Sequence, residues 1–511
     1  MTTNSSNLIN CSLAIGDVFT PKKYVNFAID KFDIFRNWMS GKSIFDPTAG
    51  NGNILYYLVE YGLDQGYSIE DLPLSNLYGN ELNRSYYQEI LTRFQKNFDY
   101  NISSQISNKD IFEYGEIKYD IIFGNPPWQN FVDLPDNYKK YVKPFFKKFN
   151  LIPKGKGILL GNSRVDISAL IIKKVIETNL VDNGESYFFL PLSIFLNDGA
   201  HATFRKMSLS DGSKFKVESI YDFKNLDVFD GVATRHGLAK FKRNVSQEFP
   251  IDYFIYDTSK WEKYQVNPLF NETDPYSVMT DYDREIKESF QKISIKKDCF
   301  PRQGINTCGA NKIYFFKCED VEEKESSFLV RTKFLLPKDY LHPLITTKNF
   351  KDSSPTPHKW VLLPYNNNGK PIEYKTLESN ILLYQYFIEH KDFLSNRKGT
   401  MIRGWLNRGY WWSCLGVGKY NFAPYKVVWE AYGKSSFNPK LFEGNWQVNQ
   451  SLQAYIPCWS KDEALRILDE LKHPFVETYL KTLKMEGTMN WAQPGKIKKL
   501  LKESSNTLSL F

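Results

Sequence analysis

Between residues 43 and 245 six short apolar runs, "SIFD", "NLYGNEL", "YDIIFGN", "ESYFFLPL", "FKVESIYDF" and "HGLAKFK", alternate with stretches of helical spacing. Few folds accommodate such a chain. Near-continuous apolar runs belong to strands buried on both faces, and parallel neighbours need a crossover, usually a helix, to join them. The pattern predicts an α/β architecture with a mostly parallel sheet and helices on both sides. "DISALIIKKVIETNL" at 166–180 has the spacing of a covering helix. Earlier in the chain, Thr20 can cap a helix that begins at Pro21, a favoured first helical residue.

In open parallel sheets, ligands bind beyond the carboxyl ends of the strands. Four strand ends here carry polar residues. "SIFDPTAGNGNIL" ends its strand at Asp46, and Gly50 and Gly52 allow a tight turn into a helix. The acid precedes fewer glycines than a dinucleotide fingerprint has, and the Lys-Ser/Thr of a P-loop is missing. A carboxylate at this mouth repels phosphate and suits an amino group. "NLYGNEL" ends in Glu81, placed where an acid commonly accepts two ribose hydroxyls. "SNKDIFEY" puts Asp110 in a loop, where it can accept an exocyclic amine. "YDIIFGNPPWQ" ends in Asn125, stiffened by Pro126 and Pro127, with Trp128 beside them. An amide oxygen and a neighbouring peptide carbonyl can both accept from one amino group. That leaves its nitrogen lone pair free to attack, and the prolines hold the acceptors aimed. Trp128 offers a face for stacking a base, worth roughly 1–3 kcal/mol.

The rest of the sequence narrows the class. At 511 residues the chain is long enough for two to four domains. The first twenty residues are polar and give no secretory signal, and no apolar stretch approaches the roughly 18–20 residues of a membrane span. Cys11, Cys299, Cys308, Cys318, Cys414 and Cys458 form no C-x-x-C pair, which argues against a zinc ribbon or a disulfide framework and for reduced thiols in a cytoplasm. Residues 246–300 read as a connector. Residues 1–300 carry a net charge of −2 and residues 301–511 carry +10, a balance that suits a separate module facing a polyanion.

The order "FTP", "DPTAGNGN", "NEL", "KDIF", "NPPW" resembles the amino-methylating DNA methyltransferases. Within them it resembles the adenine-N6 group whose cofactor motifs precede the catalytic motif and whose target-recognition domain is C-terminal. The resemblance implies a Rossmann-like methyltransferase with a mostly parallel seven-stranded sheet over residues 1–245, and a mixed α+β target-recognition domain over 301–511. It implies S-adenosylmethionine as cofactor, held by Phe19, Thr20, Pro21, Asp46, Thr48, Ala49, Gly50, Glu81, Leu82, Asp110, Ile111 and Asn125, with no metal. Asn125, Pro126, Pro127 and Trp128 form the catalytic motif. "LDVFDGVATRHGLAKFKR" at 226–243 resembles the segment that brings a second aromatic, here Phe229, to the flipped base, and "NSRVDISALIIKK" resembles the helix after the catalytic loop. Trp stands where the family more often has Tyr or Phe, and an initial Asn favours adenine N6 over cytosine N4.

"PRQGINTCGANKIYFF" and "MIRGWLNRGYWWSCLGVGKYNFAPYKVVW" mix basic residues with aromatics and resemble the opening and middle of the family's recognition domain. Arg403, Arg408, Lys419 and Lys426 are the candidate phosphate or base contacts. The expected substrate is duplex DNA, whose target base must be flipped out to be reached. A restriction endonuclease on a separate chain is a further expected partner, since the motifs begin near residue 16 and no P-D…E-x-K arrangement is found. A monomeric, cytoplasmic protein is expected. Two rival readings use the same residues: an rRNA or protein-glutamine methyltransferase with this catalytic motif, and a non-catalytic nucleic-acid binder.

Overall fold

The computed structural model describes residues 18–503 apart from 153–164, 230, 233, 352–355, 434–435 and 485–490. Cys11 and the start of the segment at 162 lie outside the described residues. The chain divides into two compact units, residues 1–279 and 280–511.

The first unit is built on the strands the alternation predicts. In chain order these are β1 (Ile44–Asp46), β2 (Leu77–Asn80), β3 (Ile106–Ser107), β4 (Tyr119–Gly124), β5 (Leu180–Pro191), β6 (Phe215–Asp222) and β7 (His236–Arg243). Three more follow, β8 (Ile251–Asp257), β9 (Lys260–Pro268) and β10 (Tyr276–Val278). They form one ten-stranded sheet in the order β10-β9-β8-β6-β7-β5-β4-β1-β2-β3. Pairing is parallel from β3 through β2, β1 and β4 to β5. It is antiparallel on both sides of β7.

Two sequence expectations need correction here. The sheet has ten strands, not seven. The three extra ones come from residues 251–278, read as connector. β8 runs parallel to β6, β9 folds back antiparallel on β8, and β10 folds back antiparallel on β9. Residues 280–300 begin the second unit.

Alternate residues of the central strands feed two cores. Phe45, Ile122, Phe188 and Leu190 face one side, together with residues of α5 (Asp136–Lys148) and α6 (Ile167–Asn179). Ile44, Ile121, Phe123, Tyr187 and Phe189 face the other, against α1 (Lys22–Lys31), α2 (Ile34–Met39), α3 (Asn53–Asp64) and α4 (Arg84–Phe98). This is the period-two geometry of a strand buried on both faces. Each fully buried Ile or Phe contributes roughly 1.5–3 kcal/mol. Helix starts use local acceptors: Asn83 caps α4 by accepting from Ser85 N–H, and Asp166 caps α6 by accepting from Ser168 N–H.

The second unit mixes helices with small sheets of two, three and four strands among the described residues. Its four-stranded sheet runs Arg302–Gln303, Gln453–Cys458, Tyr425–Glu430, Lys440–Glu443. No helix among the described residues is long and apolar enough to cross a membrane.

Candidate active site

The polar strand ends come from four adjacent parallel strands, β3, β2, β1 and β4, so their carboxyl ends share one edge of the sheet. Strand order reverses between β1 and β4, the kind of place where open α/β sheets bind ligands. Asp46 ends β1, Glu81 follows β2, Asp110 follows β3 and Asn125 follows β4.

Asp46 is almost wholly buried. Its Oδ1 accepts the Thr48 N–H at 3.2 Å. Burial, helped by the nearby Glu81 charge, pushes its carboxyl up to about 8. Two buried acids so close to one another favour a positively charged ligand. Glu81 is tied to both neighbouring loops: Oε2 accepts Gly50 N–H at 2.7 Å and Oε1 accepts Asn83 N–H at 2.6 Å. Gly50 has a φ of +55°, and a Cβ there would lie 3.2 Å from the Phe19 ring, so the turn and the aromatic above it both favour glycine. Thr48 Oγ1, Asn51 Oδ1 and Asn80 Oδ1 around this loop are buried with no partner among the described residues.

β4 ends hard against β1. A Cβ on Gly124 would sit 3.1 Å from Asp46 Oδ1 and 3.0 Å from Pro47, so a larger residue there would press on the acid and its neighbour; the residue that follows is the next polar group of the site. That residue is Asn125. Its Nδ2 donates to Val18 C=O at 3.1 Å and to Thr20 Oγ1 at 3.2 Å. Both amide hydrogens are therefore directed into the segment around Thr20, which turns Oδ1 away from it as the amide's acceptor. Thr20 does not cap the helix as expected. Pro21 is the N-cap residue and makes no side-chain cap, and α1 begins at Lys22. The threonine hydroxyl serves Asn125 instead.

Pro126 is buried, Pro127 exposed and Trp128 half-buried. The Trp128 indole N–H lies 3.4 Å from Phe189 C=O. Its ring meets Phe229 edge to face, centroids 5.1 Å apart. The structure thus brings the two expected base-stacking aromatics together, in contact with each other. Room for a base between them opens only when one ring shifts.

Asp110 is buried, with Oδ1 accepting Phe112 N–H at 2.9 Å and Oδ2 accepting the Tyr138 hydroxyl at 3.0 Å. Burial raises its pKa. Ile111 is buried beside it, Leu82 follows Glu81, and Ala49 is buried in the glycine turn.

Several contributors escaped the sequence reading. Asn80 donates to Pro47 C=O and Lys109 C=O and so ties the loops after β1 and β3 together. Arg93 bonds Asn51 C=O and Asn53 Oδ1, while Asn53 Nδ2 reaches Thr20 C=O. His236 packs on Trp128 and Phe229, with ring centroids at 5.4 and 5.0 Å. Its Nδ1 donates to Thr234 C=O, and its Nε2 is buried without a partner among the described residues. No local signal marks these residues, because each acts across the fold rather than along the chain.

In the second unit Arg403, Arg408 and Lys419 are exposed, as expected of surface contacts. The Arg408 guanidinium lies 4.0 Å over Trp405, and the Lys419 ammonium 5.1 Å over Trp459. Lys426 is a correction. It is fully buried in the strand Tyr425–Glu430, its Nζ donates to Ala423 C=O at 2.8 Å, and burial pushes it down to about 7. It cannot touch a phosphate.

Residues 10–160 match the model of the N-6 DNA Methylase family. Two Type II methyltransferases are similar to part of this chain. M.VspI from Vibrio sp. (strain 343) is 27% identical over 228 residues, 43% of this chain and 46% of that protein. M.HincII from Haemophilus influenzae is 26% identical over 230 residues, 45% of this chain and 37% of that protein. The matched stretch thus spans less than half the length of either relative. In fold, the chain is similar to the Type IIL restriction-modification enzyme MmeI, solved in complex with DNA. That likeness has a TM-score of 0.54 at 12% identity and covers 93% of this chain and 63% of that one. A nuclease-deletion mutant of the Type ISP restriction-modification enzyme LlaGI gives 0.52 at 14% identity, over 94% and 46% of the two chains.

Proposed function

We propose that the protein is a site-specific DNA methyltransferase that methylates N6 of a flipped-out adenine in duplex DNA, as the modification part of a restriction-modification system. The observation that carries this reading is Asn125. It follows Gly124, the β4 residue beside Asp46, with its amide hydrogens directed to Val18 and Thr20 and its oxygen turned away from them.

The residues present fit S-adenosylmethionine. Its ammonium suits the buried Asp46, and Thr48 Oγ1 and Asn51 Oδ1, without a partner among the described residues, belong to the turn beneath Phe19. Phe19, Thr20, Pro21, Asp46, Thr48, Ala49 and Gly50 would hold the amino-acid end, Glu81 and Leu82 the ribose, and Asp110 and Ile111 the adenine ring. When bound, the cofactor supplies an electrophilic methyl group on a sulfonium.

The chain's own residues do the rest. Asn125 Oδ1 and the Pro126 carbonyl accept the two hydrogens of the target amine, which localises its lone pair on nitrogen. Pro126 and Pro127 fix these acceptors in advance, so no reorganisation accompanies the reaction. Trp128 and Phe229 part to take the base between them, and this stacking offsets the few kcal/mol that flipping costs. Transfer is direct, with no covalent enzyme intermediate, and the amine proton leaves to water. The exposed Arg403, Arg408 and Lys419 serve the DNA backbone or bases.

Long-read sequencing of DNA from cells expressing the protein tests the reading. Modified adenines in one sequence context are expected, and none with Asn125→Ala. Methyl label appearing only in RNA or protein would overturn it. Full activity of the Asn125→Ala variant would overturn the catalytic assignment.

A further inference from the structure

Helix α5 follows the catalytic loop, and one face of it is keyed to the turn that carries Asp110. Tyr138 donates to Asp110 Oδ2 at 3.0 Å, and Tyr141, one turn on, donates to Glu113 Oε1 at 3.3 Å. The Phe145 ring stacks on Phe112 at 4.8 Å and 18°. Residues 138, 141 and 145 lie on one stripe of a helix, and their partners 110, 112 and 113 occupy a single turn. Tyr138 is the member that reaches the buried carboxylate itself.

We propose that Tyr138 is a positioning residue for recognition of the cofactor's adenine amine. The proposal rests on the reading that Asp110 accepts this amine. A carboxylate offers about four lone-pair sites. The Phe112 N–H fixes one on Oδ1, and the tyrosine hydroxyl fixes one on Oδ2. With a donor on each oxygen the carboxylate cannot rotate, and its remaining lone pairs keep fixed directions. A 6-amino group then meets a pre-aimed acceptor. Tyr138 is itself held as a protonated donor, since burial and the Asp110 charge raise its pKa. Removing the hydroxyl frees Asp110 to turn and leaves Oδ2 buried with one donor fewer.

The test measures binding of S-adenosylhomocysteine and of S-inosylhomocysteine, which carries a carbonyl in place of the 6-amino group, by calorimetry on the full chain. For Tyr138→Phe, the Kd of S-adenosylhomocysteine is expected to rise at least fivefold, and that of S-inosylhomocysteine less than twofold. In turnover, KM for S-adenosylmethionine should rise while kcat at saturation stays within twofold. Tyr141→Phe, on the same helix face but bonded to Glu113, should leave the ratio of the two affinities unchanged. Equal losses for both ligands would show a structural role and overturn the proposal, as would unchanged binding of S-adenosylhomocysteine by Tyr138→Phe. If the wild-type chain binds S-inosylhomocysteine as tightly as S-adenosylhomocysteine, the adenine reading of Asp110 falls first and takes this one with it.

Discussion

At the scale of single residues the site is a set of polar groups held ready. Asn125 depends on Thr20 for its aim. Thr20→Val keeps the shape and removes the hydroxyl, a loss of roughly 1 kcal/mol of hydrogen bonding. The expected outcome is a five- to tenfold slower methyl transfer at saturating S-adenosylmethionine, read by single-turnover methylation. Asp46 makes a pH prediction. With its carboxyl near 8 it is protonated at neutral pH in the free protein. An ammonium arriving beside it favours the carboxylate, so binding should release close to one proton per event at pH 7. Affinity should rise with pH between about 5.5 and 7.5, a window in which the ligand's own α-amino group, ordinarily near 8, stays charged. Calorimetry in two buffers of different ionisation enthalpy counts the proton; no release would refute the assignment. The stability consequence has the opposite sign. Between the ordinary carboxyl value and 8 the folded chain binds the proton that the unfolded chain has lost, so stability falls as pH rises through that window. Asp46→Asn should therefore raise the unfolding temperature of the free protein at pH 8 while abolishing cofactor binding.

At the scale of elements, helix α6 carries a similar cost. It is buried on all sides except at Glu177, yet it includes Lys173 and Lys174. Lys174 donates to Tyr114 C=O and Asn179 Oδ1, whereas Lys173 Nζ has no partner among the described residues, and burial pushes it down to about 8. Lys173→Met should stabilise the unit by about 1–3 kcal/mol at pH 7, seen as a raised unfolding temperature with methylation unchanged. The advantage should shrink above pH 8, where the native lysine is neutral in the fold. The elements also show what the sequence disclosed. The buried central strands were legible because each is a near-continuous apolar run, and the four polar residues at their ends were legible because strand ends in such sheets are predictable places. β8 and β9 were not. In "IDYFIYD" buried residues alternate with half-buried ones, and "KWEKYQVNP" buries only Val266, so neither reads as the near-continuous apolar run of a central strand. Their turn is Thr258–Ser259, at φ of +41° and +73°, a positive-φ pair built without the Asn-Gly or Asp-Gly that normally signals it. Thr20 was misread for a related reason: a threonine before a proline looks like a cap, and only the fold brings Asn125 within its reach.

At the scale of the whole molecule, charge is divided between the units, and this sets the last prediction. On the proposed function, the +10 of residues 301–511 predicts duplex DNA binding with a large electrostatic component, which should weaken steeply with added salt because the counterions that binding releases gain less entropy in a saltier solution. Each phosphate contact contributes roughly 0.9 to the slope of log Kd against log salt concentration. Arg403 and Arg408 are exposed on the same helix and the turn after it, whereas Lys426 is sealed inside the four-stranded sheet. Arg403→Gln with Arg408→Gln should therefore lower the slope by about 1–2 and weaken binding to all duplexes alike, if both reach phosphate. Loss confined to the recognised sequence, with the slope intact, would assign them to bases instead. Lys426→Gln should leave the slope unchanged, because that ammonium never meets the DNA. Fluorescence anisotropy with one labelled duplex across a salt series separates the three outcomes, and a slope change in Lys426→Gln would contradict the burial that the structure assigns to it.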